Sequence, residues 1–230
     1  MEAIILAGGF GKRLKSEVQD IPKPMAPIND RPFLNYLLDY LIQFKLDKII
    51  LSVFYKYKVI ENYYGNFYLN TPIQYSLDDK PLGTGGAIKV ALPYTNDVNI
   101  FVINGDTFFD IDLSALLNLH IQRNNDITIS LKPMRNFDRY GFVETDSSGR
   151  VLSLKEKQYC NYGNIDGGIY LIKRTLFNHI ENRCIFSFND FIVKNLENLK
   201  VGSFQCDRLF IDIGIPDDYK KAQYLLSDRL

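Results

Sequence analysis

The 230-residue sequence predicts an α/β fold with a mixed, mainly parallel central sheet, and three observations lead there. Apolar runs alternate with helical patterns in the first half. The middle of the chain switches to short strands separated by turns, and polar loops holding glycine or aspartate follow the apolar runs directly. The alternation marks βαβ units, whose helices cover both faces of a parallel sheet.

Taken in order, the run at residues 3–6 reads as a buried strand that stops at Gly8, Gly9 and Gly11, leaving backbone amides bare to receive an anion. It is not a P-loop, because Leu6 stands where the first glycine belongs and Arg13 follows Lys12. Nor is it a dinucleotide fingerprint. Leu14 replaces the third glycine, and the second apolar run, residues 48–54, ends without an acid to hold a ribose. Pro22 and Pro24 bracket Lys23 and should hold its ammonium on a stiff, non-helical segment. Helical patterns at residues 32–44, 57–64 and 85–92 alternate with strands at 48–54 and 98–103. Pro32 suits a first helical turn, with Asn29 and Asp30 as available caps. The third run enters Asn104-Gly105-Asp106, placing a carboxylate at the carboxyl end of a strand after a flexible glycine. Residues 126–157 read as short strands around a turn at 146–149, and 163–173 as a further strand. A helix at 217–227 closes the chain, opened by Pro216 and Asp217. The strand-rich middle is expected to extend the first sheet, giving one domain.

Composition narrows the function. A hydrophobic content of 46% with 23% charged residues suits a globular enzyme, and 27 basic against 27 acidic residues leave no net field to gather nucleic acid or an anionic membrane. Phosphate recognition must therefore be local. Cys160, Cys184 and Cys206 are odd in number and lack metal-ligand spacing, which fits a reducing compartment; His120 and His179 form no zinc pattern. No basic, apolar leader precedes the first strand and no apolar run is long enough to cross a bilayer, so a cytoplasmic location is expected. No hexapeptide repeat follows Gly202, so no C-terminal β-helix is expected.

A second acid, Asp212, again follows apolar residues and precedes a glycine. One Asp holds Mg²⁺ only with help, so two such acids near a glycine phosphate loop carry more weight than either alone. Leu6-Ala7-Gly8-Gly9-Phe10-Gly11-Lys12-Arg13-Leu14 stands in order with Pro22-Lys23-Pro24-Met25, 81–87 (PLGTGGA), Asn104-Gly105-Asp106, Tyr140-Gly141, Glu156-Lys157, Gly167-Gly168-Ile169-Tyr170 and Asp212-Ile213-Gly214. Together these motifs resemble the sugar-1-phosphate nucleotidylyltransferases over nearly the whole chain, most closely their short heptose 1-phosphate guanylyltransferase branch, with the mannose-1-phosphate enzymes near it.

The resemblance implies a Rossmann-like, glycosyltransferase-A-type three-layer fold, with a nucleotide part at about residues 1–112 and a sugar part at about 113–230. It implies Arg13, Lys23, Asp106 and Asp212 as catalytic residues, with Asp106 and Asp212 holding Mg²⁺. Leu6, Ala7, Gly8, Gly9, Gly11, Lys12, Asp78, Gly83, Thr84 and Gly105 would meet the nucleotide. Gly141, Glu156, Lys157, Asp166 and Gly167 would meet the sugar phosphate. GTP is the expected nucleotide, because a carboxylate at Asp78 accepts from the two N–H donors on guanine's edge. A sugar 1-phosphate, D-glycero-α-D-manno-heptose 1-phosphate first, is the expected acceptor, a homodimer is compatible, and the product would feed a surface polysaccharide. Departures exist: Asp166-Gly167-Gly168 stands where many relatives have Asn-Ala-Gly, so Asp166 either accepts from sugar hydroxyls or anchors a turn, and Gln158 replaces a proline. Thr84 is also readable as the cap of its helix. Two rivals remain: a metal-dependent glycosyltransferase using Asp110 and Asp112 as an Asp-x-Asp pair, and a noncatalytic nucleotide-sugar-binding subunit.

Overall fold

A computed structural model describes residues 1–11, 14, 17–18, 20–181 and 183–227. The chain opens on β1 (Glu2–Leu6), and a small hairpin of β2 (Pro27–Ile28) and β3 (Arg31–Pro32) leads into α1 (Phe33–Ile42). There follow β4 (Lys48–Val53), α2 (Tyr57–Tyr64), β5 (Phe67–Tyr68), β6 (Thr71–Leu77), α3 (Gly83–Ala91), β7 (Asn99–Asn104), β8 (Thr107–Phe109) and α4 (Leu113–Arg123). The second half contains β9 (Ile127–Phe137), β10 (Phe142–Thr145), β11 (Val151–Lys155), β12 (Cys160–Lys173), α5 (Phe188–Asn195), β13 (Val201–Gln205), β14 (Phe210–Asp212) and α6 (Pro216–Leu225).

One sheet runs β11-β10-β12-β7-β1-β4-β6-β5, with β9 also on β12 and β13 on β9. Its centre, β7-β1-β4-β6, is parallel. β12 enters antiparallel beside β7, with Ile169 opposite Ile103, and brings β9 and β10 into the same sheet. The strand-rich middle thus extends the first sheet, as its alternation suggests. β1, β4 and β7 are buried on both faces, which is why they read as apolar runs, whereas β6, TPIQYSL and only partly buried, does not read as a strand. Successive β1 residues face opposite sides: Ala3 and Ile5 pack with Leu34, Leu37 and Leu41 of α1, while Ile4 packs with Ile88 of α3 and Ile192 of α5. Each such fully buried Ile or Leu contributes about 1.5–3 kcal/mol relative to exposure.

Two local expectations are corrected. Asn29 and Asp30 do not cap α1, which starts after Pro32 with no side-chain cap. Both adopt positive φ, 46° and 64°, at the two-residue turn between β2 and β3, a conformation that short polar side chains tolerate. Asn29 instead pairs twice with Gln223 of α6, tying the hairpin to the last helix. The Pro22–Pro24 segment is also not wholly extended: Lys23–Met25 is a three-residue 3-10 turn, closed by Ala26 N donating to Lys23 O at 3.0 Å. Among the described residues, no helix is long and apolar enough to cross a membrane.

Candidate active site

The site begins where β7 ends. Gly105 N donates to Leu6 O at 3.0 Å, and a Cβ on Gly105 would lie 2.7 Å from that oxygen. The glycine is therefore a close-packing position between two strand ends rather than a flexible link. Next in the chain, Asp106 leads into β8, and β14 pairs with β8 so that Asp212 lies opposite Thr107. Ile213 N donates to Asp106 O at 3.1 Å, completing the junction. Two carboxylates more than 100 residues apart in sequence are thus set side by side by a two-stranded ladder.

Lys23 joins them. Its Nζ donates to Asp106 Oδ2 at 2.5 Å and lies 3.6 Å from Asp212 Oδ1, with only 9% of its side chain exposed. Burial, then the Asp106 charge, pushes the Asp212 carboxyl above its usual range, while Lys23, the Gly214 N–H and Arg139 oppose the shift. Two converging carboxylates form an oxygen donor set suited to Mg²⁺, which characteristically takes one or two protein carboxylates and completes its shell with phosphate and water. Among the described residues no group of three or more His, Cys, Asp or Glu side chains could hold a metal. A cation held by these two acids would complete its shell with substrate and solvent oxygens.

Beside this cluster opens a cleft of 370 Å³, lined by Leu6, Gly8, Gly9, Phe10, Lys23, Ser52, Phe54, Asp78, Gly83, Thr84, Asn104 and Asp106 among others. The N–H groups of Gly8, Gly9 and Gly11 meet no backbone acceptor among the described residues, and such unspent amides form an anion receptor. Lys12 and Arg13, expected here, lie outside the described residues. Across the cleft, Asp78 follows β6 and is buried, its N–H donating to Val53 O at 3.1 Å. Among the described residues its Oδ1 has no hydrogen-bond partner, and neither has Ser76 Oγ. Burial, helped by the neighbouring Asp79 charge, pushes the Asp78 carboxyl up to about 6. A buried acceptor without a partner costs free energy, and Asp78 carries one in a residue that lines the cleft.

The glycine loop before α3 has a second task. Gly83, at φ 72°, would carry a Cβ 2.5 Å from Phe186 O, so the loop is pressed against the segment that leads into α5. Thr84 does not cap α3, whose first residue is Gly83; its Oγ1 accepts from Phe188 N at 2.9 Å and so ties the cleft wall to the start of α5. Asp112 caps α4 by accepting from Ala115 N at 3.0 Å, and neither Asp110 nor Asp112 lines the cleft, so the Asp-x-Asp alternative has no geometry here.

Of the other nucleotide residues expected from sequence, Ala7 and Gly105 are buried next to the lining residues Leu6 and Asp106, and Gly11, half-exposed, continues the glycine loop past Phe10. The sugar-side residues stand apart from it. Gly141 packs against Lys155 O, Glu156 and Lys157 are exposed between β11 and β12, and Gly167 is buried against the Phe109 ring. Asp166 anchors a turn: its carboxylate accepts from Gly168 N at 2.9 Å and from the Tyr170 hydroxyl at 2.5 Å, at a bulge in β12. Sequence reasoning missed Ser52, Phe54 and Asn104 in the lining. It also missed Arg139 and Asp218, an ion pair beside the acid cluster. Only the adjacency of Arg139 to Tyr140-Gly141 could have pointed to that pair.

Residues 2–229 match the nucleotidyl transferase family. The chain is 50% identical over 224 residues, 97% of each chain, to D-glycero-alpha-D-manno-heptose 1-phosphate guanylyltransferase of Aneurinibacillus thermoaerophilus. It is 48% identical to the Campylobacter jejuni protein of the same name, over 95% of this chain and 97% of that one. Among solved structures, HddC from Yersinia pseudotuberculosis complexed with GMP-PN superposes with a TM-score of 0.86 at 35% identity, covering 98% of this chain and 99% of that one.

Proposed function

The chain belongs to the nucleotidyl transferase family, and from that premise we propose that it transfers GMP from GTP to a sugar 1-phosphate, releasing pyrophosphate. D-glycero-α-D-manno-heptose 1-phosphate is the proposed acceptor and GDP-heptose the product, supported by relatives at 50% and 48% identity that bear that enzyme's name. One arrangement carries the reading. Lys23 bridges Asp106 and Asp212 at the edge of a cleft lined by the glycine loop on one side and by the buried carboxyl of Asp78 on another.

The chemistry suits those parts. A phosphate monoester has a second pKa of about 6, so the attacking oxygen is ionised at neutral pH and needs no general base. What the reaction needs is two anions held in line and charge stabilised at the α-phosphorus. The amides of Gly8, Gly9 and Gly11 would receive phosphate oxygens, and the Lys23 ammonium would lie against the phosphates from its buried seat. Asp106 and Asp212 would hold Mg²⁺, which when bound neutralises phosphate charge. Asp78 would accept from the guanine N–H donors, leaving no buried acceptor unpaired. Binding in the cleft excludes water from the reacting phosphates.

The experiment is pyrophosphate release from purified protein with Mg²⁺, testing GTP, CTP, UTP, dTTP and ATP against the heptose 1-phosphate and mannose 1-phosphate. Turnover fastest with GTP and the heptose is expected. Turnover with another pair would overturn the specificity, and no pyrophosphate with any pair would overturn the activity.

A further inference from the structure

Beyond the nucleotide cleft lies a second cationic group that faces the same acids. Arg139, in the turn between β9 and β10, donates from Nη1 to Asp218 Oδ2 in α6, and Lys221 Nζ lies 3.1 Å from the other oxygen of that carboxylate. Asp218 is buried, so it fixes the guanidinium firmly. The guanidinium lies 5.4 Å over the Tyr140 ring, and Tyr140 meets Phe210 edge-on with centroids 5.9 Å apart. Phe210 and Asp212 are two apart on β14 and therefore share a face. The Arg139–Tyr140 stack thus covers the face of β14 that presents Asp212.

Arg139 does not line the nucleotide cleft. Lys23 occupies the cleft side of the acids, and Lys157 is exposed in the β11–β12 connection with no ion-pair partner among the described residues. A guanidinium offers five N–H donors in a fixed fork, and the one donated to Asp218 leaves the others to bind an oxyanion. We infer that Arg139, held in place by Asp218, receives the phosphate of the incoming sugar 1-phosphate beside Asp212. Arg139 is then a substrate-binding residue, and Asp218 a positioning residue that acts through it. The inference rests on the nucleotidyl-transfer reading.

The test compares wild type with Arg139→Ala, Arg139→Lys and Asp218→Asn. KM is measured for the heptose 1-phosphate at saturating GTP and for GTP at saturating sugar, alongside inhibition by inorganic phosphate. Loss of a charge-assisted phosphate contact should raise the sugar KM and the phosphate Ki of Arg139→Ala about 10- to 100-fold, leaving the GTP KM within about twofold. Asp218→Asn should move the same constants in the same direction by less. Arg139→Lys keeps a cation for Asp218 but loses the fork, so it should recover the fold without recovering the sugar KM. If Arg139→Ala does not fold, the lysine variant decides by the same split. An unchanged sugar KM, or equal rises in both KM values, overturns the inference while wild-type turnover leaves the activity standing. A wild type that releases no pyrophosphate overturns the activity instead.

Discussion

Replacing Asp78 by Asn tests both the nucleotide and the electrostatics of its pocket. The carboxylate is buried, one oxygen is unpaired, and its pKa is pushed up to about 6. Guanine would offer two N–H donors to it; Asn keeps one acceptor but turns an NH₂ toward those donors. Losing a charge-assisted hydrogen bond at a buried site costs about 2–3 kcal/mol, or about 30- to 150-fold in kcat/KM for GTP. Because the substrate phosphates titrate near the same pH, the informative quantity is the ratio of wild type to variant between pH 5 and 8. That ratio should rise with pH through about 6 and level off above it, since only the ionised carboxylate accepts both donors. UTP and ATP, lacking the donor pair, should show a flat ratio. The same shift has a sign for stability. The folded pKa lies above the ordinary 3.8, so between pH 4 and 6 the native state binds the extra proton, and wild-type stability falls as pH rises through that window. Asn removes the dependence, so the variant should gain on wild type by on the order of 2 kcal/mol by pH 7 in denaturant titrations. Initial rates showing an intact GTP preference in Asp78→Asn, or a ratio that does not change with pH, would refute this reasoning.

Three other outcomes follow from the same geometry. Lys23→Met removes the cation between Asp106 and Asp212 and should lower turnover about 10²- to 10³-fold, the cost of about 3–4 kcal/mol seen for a preorganised donor; near-normal pyrophosphate release would defeat the assignment. Gly105→Ala places a Cβ 2.7 Å from Leu6 O, so melting temperature and turnover should fall together, by about 1–3 kcal/mol in stability; a variant with wild-type melting would show that the junction yields. Excess EDTA should abolish pyrophosphate release and added Mg²⁺ restore it, while activity that persists in the chelator would exclude a role for the acids as metal ligands.

How much was legible from sequence depends on whether the signal was local. Three of the four parallel central strands were readable because strands buried on both faces need apolar runs, and residues 3–6, 48–54 and 98–103 have them; β6, TPIQYSL, is partly polar and was missed. β14 could not be seen this way. Its three residues gain their meaning from pairing with β8, a partner about 100 positions earlier, so the closeness of Asp106 and Asp212 is a property of the ladder. The glycines and acids were visible as residue types, yet their tasks were partly misjudged. Gly105 looked like slack and is a contact point; Thr84, expected at the nucleotide and also readable as a helix cap, lines the cleft and ties it to α5 without capping α3. In each case the deciding partner, Leu6 or Phe188, is remote in sequence, and no local pattern reports it. Arg139 is the limiting case. Its neighbour Tyr140 belongs to a motif, but the buried Asp218 that fixes its guanidinium lies 79 residues away, in a helix identifiable only by its opening proline. Residue types thus indicate which chemistry is available. The tertiary register decides which of those residues come together, and for Arg139 that register is supplied by α6.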